Sequence, residues 1–260
     1  MKKYLNILLV SVLFISLGLI KQDIPYKSRL KKVVHHTYSS SGRSYINEYQ
    51  LFYSNNQIDS IYYYSKFDSV KFEYVYKSGI CEVFLNQKSR DTVIKYFQYE
   101  FDSLNRLTRF VYYANNKIIN DDKYYYDKYS GLMKKSSIHG YFNLDSVNYS
   151  EEIYFVNNSN IDSVYHYYFL NDTNKILGTI RKLKYDNKKN PLHRILYFHI
   201  YDEYFNTNNI VAEYRLNLYN NTRDTLIYDY KYDNEGYLIK DITNHFAEET
   251  DSSITEYYYD

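Results

Sequence analysis

The sequence predicts an all-β fold, an antiparallel meander of many tyrosine-rich hairpins that forms a closed or half-open, barrel-like sheet. Three observations predict it. Apolar and polar residues alternate along most of the chain, which is the period of a strand with one buried face. Asparagine-rich breaks interrupt that alternation at intervals of roughly 8 to 14 residues, the spacing of successive short strands. Among 260 residues, 38 tyrosines and 14 phenylalanines stand against 7 glycines and 2 prolines, a mixture that suits the pleated surface of a sheet.

Taken in order, the first element is a leader. Lys2 and Lys3 precede an apolar run from Leu5 to Ile20, after which the chain turns polar at Lys21. That run is shorter than the ~20 residues a spanning helix needs, so residues 1–18 read as a removed export signal. Ser16 and Gly18 supply the small residues for cleavage before Leu19. Residues 19–32 then read as a basic N-terminal arm, solvated around Lys27 to Lys32. A single β-hairpin-repeat domain is expected over 33–260. The lone cysteine, Cys81, excludes an internal disulfide and lies far from where a lipid anchor would attach. With 32 basic against 31 acidic side chains, no global field draws the protein to nucleic acid or to an anionic membrane.

Within the domain, Phe72, Tyr74 and Tyr76 oppose Lys71 and Glu73. Phe97, Tyr99 and Phe101 oppose Gln98 and Glu100, and Tyr228, Tyr230 and Tyr232 oppose Asp229 and Lys231. Breaks fall at Ser54-Asn55-Asn56, Asn115-Asn116, Asn157-Asn158-Ser159, Asp186-Asn187 and Asn220-Asn221-Thr222. Asparagine tolerates left-handed backbone angles, so it replaces the glycine that most hairpins use. The spacing implies on the order of fourteen to sixteen strands. Leu192 to Phe205 fits neither period, and Pro191 is placed to open a short helix there. In the triplets Tyr62-Tyr63-Tyr64, Tyr124-Tyr125-Tyr126 and Tyr257-Tyr258-Tyr259 the middle ring must face away from its neighbours. Core burial by a second layer and an exposed ring platform are the two readings of that second face.

A degenerate repeat underlies the pattern: aromatic strand, Asp-centred turn, then leucine opening the return strand. It is seen at Tyr99 to Leu107, Tyr185 to Leu192 and Tyr230 to Leu238, and more loosely at Tyr125 to Leu132. The Tyr-x-Tyr-Asp-x-x-Gly-x-Leu copies resemble YD-type hairpin repeats. Together with Asn208-Asn209-Ile210-Val211, they make the last 160 or so residues similar to a family of uncharacterised exported bacterial proteins, a domain of unknown function with a porin-like fold. The resemblance implies a fold and an exported location. It brings no activity and no catalytic residue, and this chain lacks the lipobox cysteine common in that family.

Asp followed by Ser or Thr and an aliphatic residue recurs through the chain. Locally this tripeptide starts strands, because its side chains bond nearby backbone. It also resembles the general O-glycosylation acceptor of one group of envelope-rich bacteria, which makes Ser60, Ser69, Thr92, Ser103, Ser146, Ser163 and Thr225 candidate acceptors. The remaining candidates point away from chemistry. His35 and His36 are adjacent on a strand and diverge, while His193 and His199 lie about 20 Å apart if extended. Asp121-Asp122, Glu151-Glu152 and Glu248-Glu249 are neighbours that diverge too, and read as solvated surface. Glycosidase carboxylates must converge across a cleft. No nucleophile elbow or phosphate-binding glycine loop is present, and Cys81 reads as core.

The expectation is therefore a non-enzymatic, secreted or cell-envelope β scaffold or binding protein, with no catalytic, cofactor or metal residues and no cofactor. Its partner is expected to be an envelope protein or a glycan, not nucleic acid, and its mature chain is not expected to span a membrane. Two alternatives remain: a glycan-binding module using exposed tyrosine faces, and a small outer-membrane barrel. A mean hydropathy of −0.61 argues against the second.

Overall fold

Sixteen strands form from the alternating segments in the computed structural model. They are β1 (Leu30–Tyr38), β2 (Ser44–Ser54), β3 (Gln57–Tyr64), β4 (Ser69–Lys77), β5 (Ile80–Gln87), β6 (Thr92–Phe101), β7 (Leu107–Ala114) and β8 (Lys117–Asp127), followed by β9 (Gly131–Gly140), β10 (Val147–Asn157), β11 (Asn160–Leu170), β12 (Asn174–Lys189), β13 (Asn208–Asn217), β14 (Thr222–Tyr232), β15 (Leu238–His245) and β16 (Ser252–Tyr259). The structure describes residues 30–38, 44–54, 57–65, 69–87, 92–114, 116–127, 131–140, 147–170, 174–193, 205–245 and 252–259. Each strand pairs antiparallel with its sequence neighbours, and β1 pairs with both β2 and β16. That last pairing closes the sheet into a barrel, which abolishes the strand edges on which other chains could add. Of the two expected outcomes, the closed barrel is the one formed.

The start of β1, the end of β16 and the hairpins β2–β3, β4–β5 and onward by twos share one end of the barrel, here the near end. The asparagines do what the sequence reading required. Asn158 and Ser159 turn β10 into β11 at φ 49° and 64°, and Asn116 and Asn221 take φ 59° and 53° at far-end hairpins. The repeated Asp-centred turn has the same geometry in two copies. Asp102 Oδ1 accepts from the amides of Leu104 and Arg106 at 2.9 Å each. Asp233 Oδ1 accepts from Glu235 and Tyr237 at 2.9 and 2.8 Å. At Gly236 the φ of 88° explains why that copy carries glycine.

A further repeat is built at the near end. Lys31, Asp59, Thr108, Met133, Asp162, Val211 and Ile239 are each one residue too many for the preceding strand, so the register shifts there. Such an extra residue interrupts the ladder and leaves backbone groups to be satisfied otherwise. Tyrosine hydroxyls of the following strand supply the partner. Tyr53 donates to the Leu30 carbonyl at 2.7 Å, Tyr126 to Leu107 at 2.6 Å, Tyr185 to Ile161 at 2.5 Å and Tyr259 to Leu238 at 2.8 Å, and Tyr230 does the same to Ile210. This accounts for part of the tyrosine excess: the ring fills the interior and the hydroxyl ends on a carbonyl.

Alternation sorts the walls. Phe72, Tyr74, Val83, Tyr99, Phe110 and Val164 point inward and are buried in one cluster that also takes residues of β1, β2, β12, β13, β15 and β16. Phe97 lies at its aromatic centre, with ring centroids of Phe110, Tyr112 and Tyr99 at 5.3, 5.7 and 6.2 Å. The β12–β13 connection adds to the same interior: Phe205 sets its ring 5.4 Å from Tyr124 and 6.5 Å from Tyr154. Its neighbour Asn206, fully buried, accepts from the Ile161 amide at 2.7 Å. At these levels the barrel is a packed core and not a water-filled bore.

Three expectations need correction. β1 begins at Leu30, so Leu30 to Lys32, read as the end of the basic arm, belong to the barrel, and Leu30 is buried. Tyr185-Asp186-Asn187 does not reverse the chain: Asp186 Oδ1 accepts from the Lys188 amide at 2.9 Å and the register jumps between Tyr185 and Lys189, but β12 continues to Lys189 and the return strand opens at Asn208 instead of Leu192. The reason is that Asp186 is taken by other strands: Asn209 donates to it through both backbone and side chain at 3.2 Å, and the Tyr232 hydroxyl bonds it too. Glu152 and Asp122, read as solvated surface, point inward and are buried. The leader at 1–18 and most of the segment expected to open a helix, at 194–204, lie outside the described residues.

Candidate functional site

The inward face is not uniform. On β8 to β13, residues at the same parity as the apolar core are polar: Asp122, Ser137, Lys135, Ser150, Glu152, His166, Arg181, Glu213 and Arg215. Their pairing places them in register, with Asp122 opposite Ser137, Ser137 opposite Ser150, Lys135 opposite Glu152 and Glu152 opposite His166. Glu152 is the hub. It takes Lys135 Nζ at 2.6 Å, His166 Nδ1 at 3.1 Å and the Tyr154 hydroxyl at 2.5 Å. Burial opposes its ionisation, but His166, Lys135 and Arg181 outweigh burial and hold the carboxyl well below the usual carboxylate range. A carboxylate with its lone pairs so occupied is a structural anion and a poor base. Next along the wall, Glu213 is held by Arg215 at 2.5 Å and Arg181 at 3.6 Å.

A second inward polar group lies at the β15–β16–β1 seam. Asp241 accepts from Thr243 Oγ1 at 3.0 Å and from the Tyr257 hydroxyl at 3.3 Å. Thr255, opposite it on β16, meets His35 Nδ1 at 3.0 Å. Among the described residues no cation pairs with Asp241, and burial pushes its carboxyl up to about 6 despite those hydroxyl donors. Burial likewise pushes the Cys81 thiol up to about 12, which leaves it protonated and unreactive at neutral pH. Among the described residues, no three His, Cys, Asp or Glu side chains are grouped so as to hold a metal ion.

Outward, the wall is charged. Lys32 meets Glu48 at 3.3 Å, Lys71 meets Glu73 at 2.6 Å and Lys95 meets Glu82 at 2.7 Å. Arg109 bridges Asp121 and Glu100 at 2.7 and 3.2 Å, and Lys175 reaches Glu151 at 2.6 Å. Outward tyrosines carry lysine ammoniums over their rings: Lys175 over Tyr167 at 4.2 Å, Lys32 over Tyr258 at 4.9 Å, Lys95 over Tyr113 at 5.0 Å and Lys184 over Tyr214 at 5.2 Å. The tyrosine triplets split as their spacing requires, and no second layer of described residues covers the outer rings: Tyr64, Tyr125 and Tyr258 are 36%, 50% and 44% exposed.

This geometry has relatives among solved structures. A porin-like protein from Bacteroides uniformis ATCC 8492 aligns over 90% of this chain and 98% of its own, with a TM-score of 0.54 at 12% identity. The chain has a porin-like barrel fold. A porin-like protein from Bacteroides vulgatus ATCC 8482 aligns over 90% and 99% at 10% identity, with a TM-score of 0.31. No family model and no curated protein matches the sequence.

The porin-like barrel scatters the candidate acceptor hydroxyls instead of gathering them. Ser103 is exposed in a near-end turn, Ser69 and Thr225 are half-buried, and Ser60 and Ser163 are buried. The last two follow the extra residues Asp59 and Asp162, so in those copies the tripeptide marks a register shift. Thr92 opens β6, its side chain lying outside the described residues, as does Ser146 entirely. The inward charges were missed by the sequence reading, although a signal existed. Counting back by twos from Tyr154 puts Glu152 and Ser150 on the core face.

Proposed function

We propose that this chain is an exported, non-enzymatic scaffold or binding protein of the cell envelope: a porin-like barrel whose outer wall faces water. The observation that carries this reading is the ion-paired outer wall. On a lipid-facing barrel wall each Lys or Arg near the midplane costs ~2–4 kcal/mol. Here Lys71, Lys95, Arg109 and Lys134 stand ion-paired along successive parts of that wall, among exposed apolar side chains such as Val75, Phe155 and Ile176. A membrane barrel has an apolar wall around a polar bore, whereas here charges interrupt the wall and a buried apolar cluster fills much of the inside. The absence of a reactive constellation in the sequence supports the non-enzymatic part. The candidate acceptors, Ser103 first because it is exposed, would carry sugars into water on this reading.

A second reading, a small outer-membrane barrel, draws on the porin-like name of the structural neighbours and on the outward rings near both ends. Tyr38, Tyr64 and Tyr149 lie toward one end and Phe52, Tyr125, Phe155 and Tyr258 toward the other, as aromatic girdles do. Fractionation of the native host separates the two. The water-facing reading expects a folded monomer recovered without detergent, with no conductance when it is added to planar bilayers. Recovery only in detergent, with channel activity, would overturn it. Intact-mass analysis of the soluble fraction reads the sugars directly.

A further inference from the structure

We propose that the outer wall of β11 to β14 binds an anionic polysaccharide laid along the barrel side, with Lys182, Lys184 and Lys231 as its charged contacts and Tyr214 as a stacking ring. The inference goes beyond the scaffold reading and rests on it in one respect, that this wall meets water.

What singles out this wall is how its charges are balanced. From β4 to β10 the outward carboxylates Glu73, Glu82, Glu100, Asp121 and Glu151 each have a cation in contact. On β12 to β14, the exposed Lys182, Lys184, Arg223 and Lys231 have no ion-pairing carboxylate among the described residues, nor do Lys188 and Lys189 where β12 ends. The exposed carboxylates on the same stretch are Asp162 and Asp229, so the cations outnumber them. Lys182 and Lys184 are alternate residues of the longest strand, flanking the inward, buried Leu183. Their ammoniums therefore leave the wall in a line with a spacing of about 7 Å.

The polymer class follows from what lies among these cations. Lys182 faces Tyr214 across the β12–β13 ladder, and Thr225 faces Tyr214 on the other side. The Tyr214 ring is 38% exposed with the Lys184 ammonium over it. One ring, a hydroxyl and a row of unpaired ammoniums match a sugar that offers a C–H face, hydroxyls and a carboxylate or sulfate. A lipid surface would ask for apolar side chains that enter the acyl region beside the lysines. Outward neighbours here include Ile180, Leu216 and Ile227, but Lys182, Lys184, Thr225 and Asp229 stand between them, so the face is mixed, on a wall that curves away from any plane.

The test is retention and titration of the full chain with polygalacturonate, with neutral dextran and with phosphatidylglycerol-containing vesicles as comparisons. The expected result is polygalacturonate binding that weakens steeply with added salt, and none to dextran or vesicles. The K182Q/K184Q/K231Q variant should bind at least about tenfold more weakly and Tyr214→Ala several-fold more weakly. K71Q/K134Q, on the balanced side, should bind as the wild type does; circular dichroism confirms folding of each variant. Equal binding by the triple variant, equal loss in K71Q/K134Q, preference for vesicles, or no binding by the soluble wild type would each overturn the proposal while leaving the scaffold reading intact. A chain that is folded only in detergent would overturn both.

Discussion

The two parts of the barrel interior are built from the same hairpin unit and share one buried apolar cluster, but only the second part sets charged side chains among it. Between β2 and β7 the inward residues are mostly aliphatic and aromatic and uncharged, with tyrosine hydroxyls such as that of Tyr63, which donates to Asn47 at 2.9 Å. Between β8 and β16 inward Asp122, Lys135, Glu152, Arg181, Glu213 and Asp241 alternate with apolar residues such as Tyr154, Val164 and Leu183, and most of their polar atoms find partners. The near-end register shifts and tyrosine-to-carbonyl bonds run around both halves alike. The backbone scaffold is thus indifferent to what fills it. This is how a meander of local hairpins can keep its fold while its interior chemistry changes.

The comparison breaks most visibly in the apolar half. Phe110 is buried against Phe97 and Tyr99, both centroids at 5.3 Å. Phe110→Ala leaves a cavity there and should lower stability by about 4 kcal/mol, measured by urea unfolding. A loss under about 1 kcal/mol would mean that this half is loosely packed and that the contrast is false.

In the polar half Glu152→Gln should cost about 3 kcal/mol, because Lys135 loses its counter-charge in a desolvated wall and the contact to His166 Nδ1 is disturbed. The carboxyl is held below its ordinary range, so its stabilisation is present above the unfolded-state value near pH 4 and is lost as pH falls below it. The gap between wild type and variant should therefore close on acidification. A pH-independent gap would show that Glu152 acts by shape and not by charge.

Asp241 sharpens the contrast with the opposite sign. Its carboxyl is raised to about 6 from an ordinary value of 3.8, so the folded state holds the proton more tightly than the unfolded one. Stability should be greatest below pH 4 as far as this group is concerned, and should fall by roughly 2–3 kcal/mol as pH rises through 6. Asp241→Asn keeps an acceptor for Thr243 and Tyr257 without the charge. It should raise the melting temperature at pH 8 and leave it unchanged at pH 4. Equal melting at pH 8 would mean that the hydroxyls of Thr243, Thr255 and Tyr257 already compensate the charge fully.

These charges also mark where the sequence stopped being legible. Alternation, asparagine turns and the Asp102 and Asp233 caps are local, so strand number, antiparallel order and the face of every quoted aromatic could be read from neighbours in the chain. Barrel closure depends on β1 meeting β16, and no local pattern encodes it. Glu151-Glu152 looked like surface because a carboxylate pair usually is. Only the partners Lys135 and His166, brought in from β9 and β11, make an inward Glu152 tolerable. Asp186 misled in the same way, its turn signal overridden by Asn209 and Tyr232 from β13 and β14. The balance of the outer wall is a sum over several strands and is invisible in the overall charge.

The smallest expected effect tests what the halves share. Tyr126 sends its hydroxyl to the Leu107 carbonyl at 2.6 Å, and Arg106 lies 4.6 Å over its ring. The corresponding position in the preceding near-end hairpin is Phe101, which faces Leu107 as Tyr126 faces Leu132. β5 carries no extra residue, so the ring without a hydroxyl occurs where no carbonyl is left to satisfy; Tyr126→Phe should still fold, with a loss of about 1 kcal/mol. Tyr53→Phe and Tyr185→Phe should lose about as much, one in each half. If the loss at Tyr185 were several times that at Tyr53, the hydroxyls would be tied to the polar interior, and the scaffold would not be indifferent to its filling.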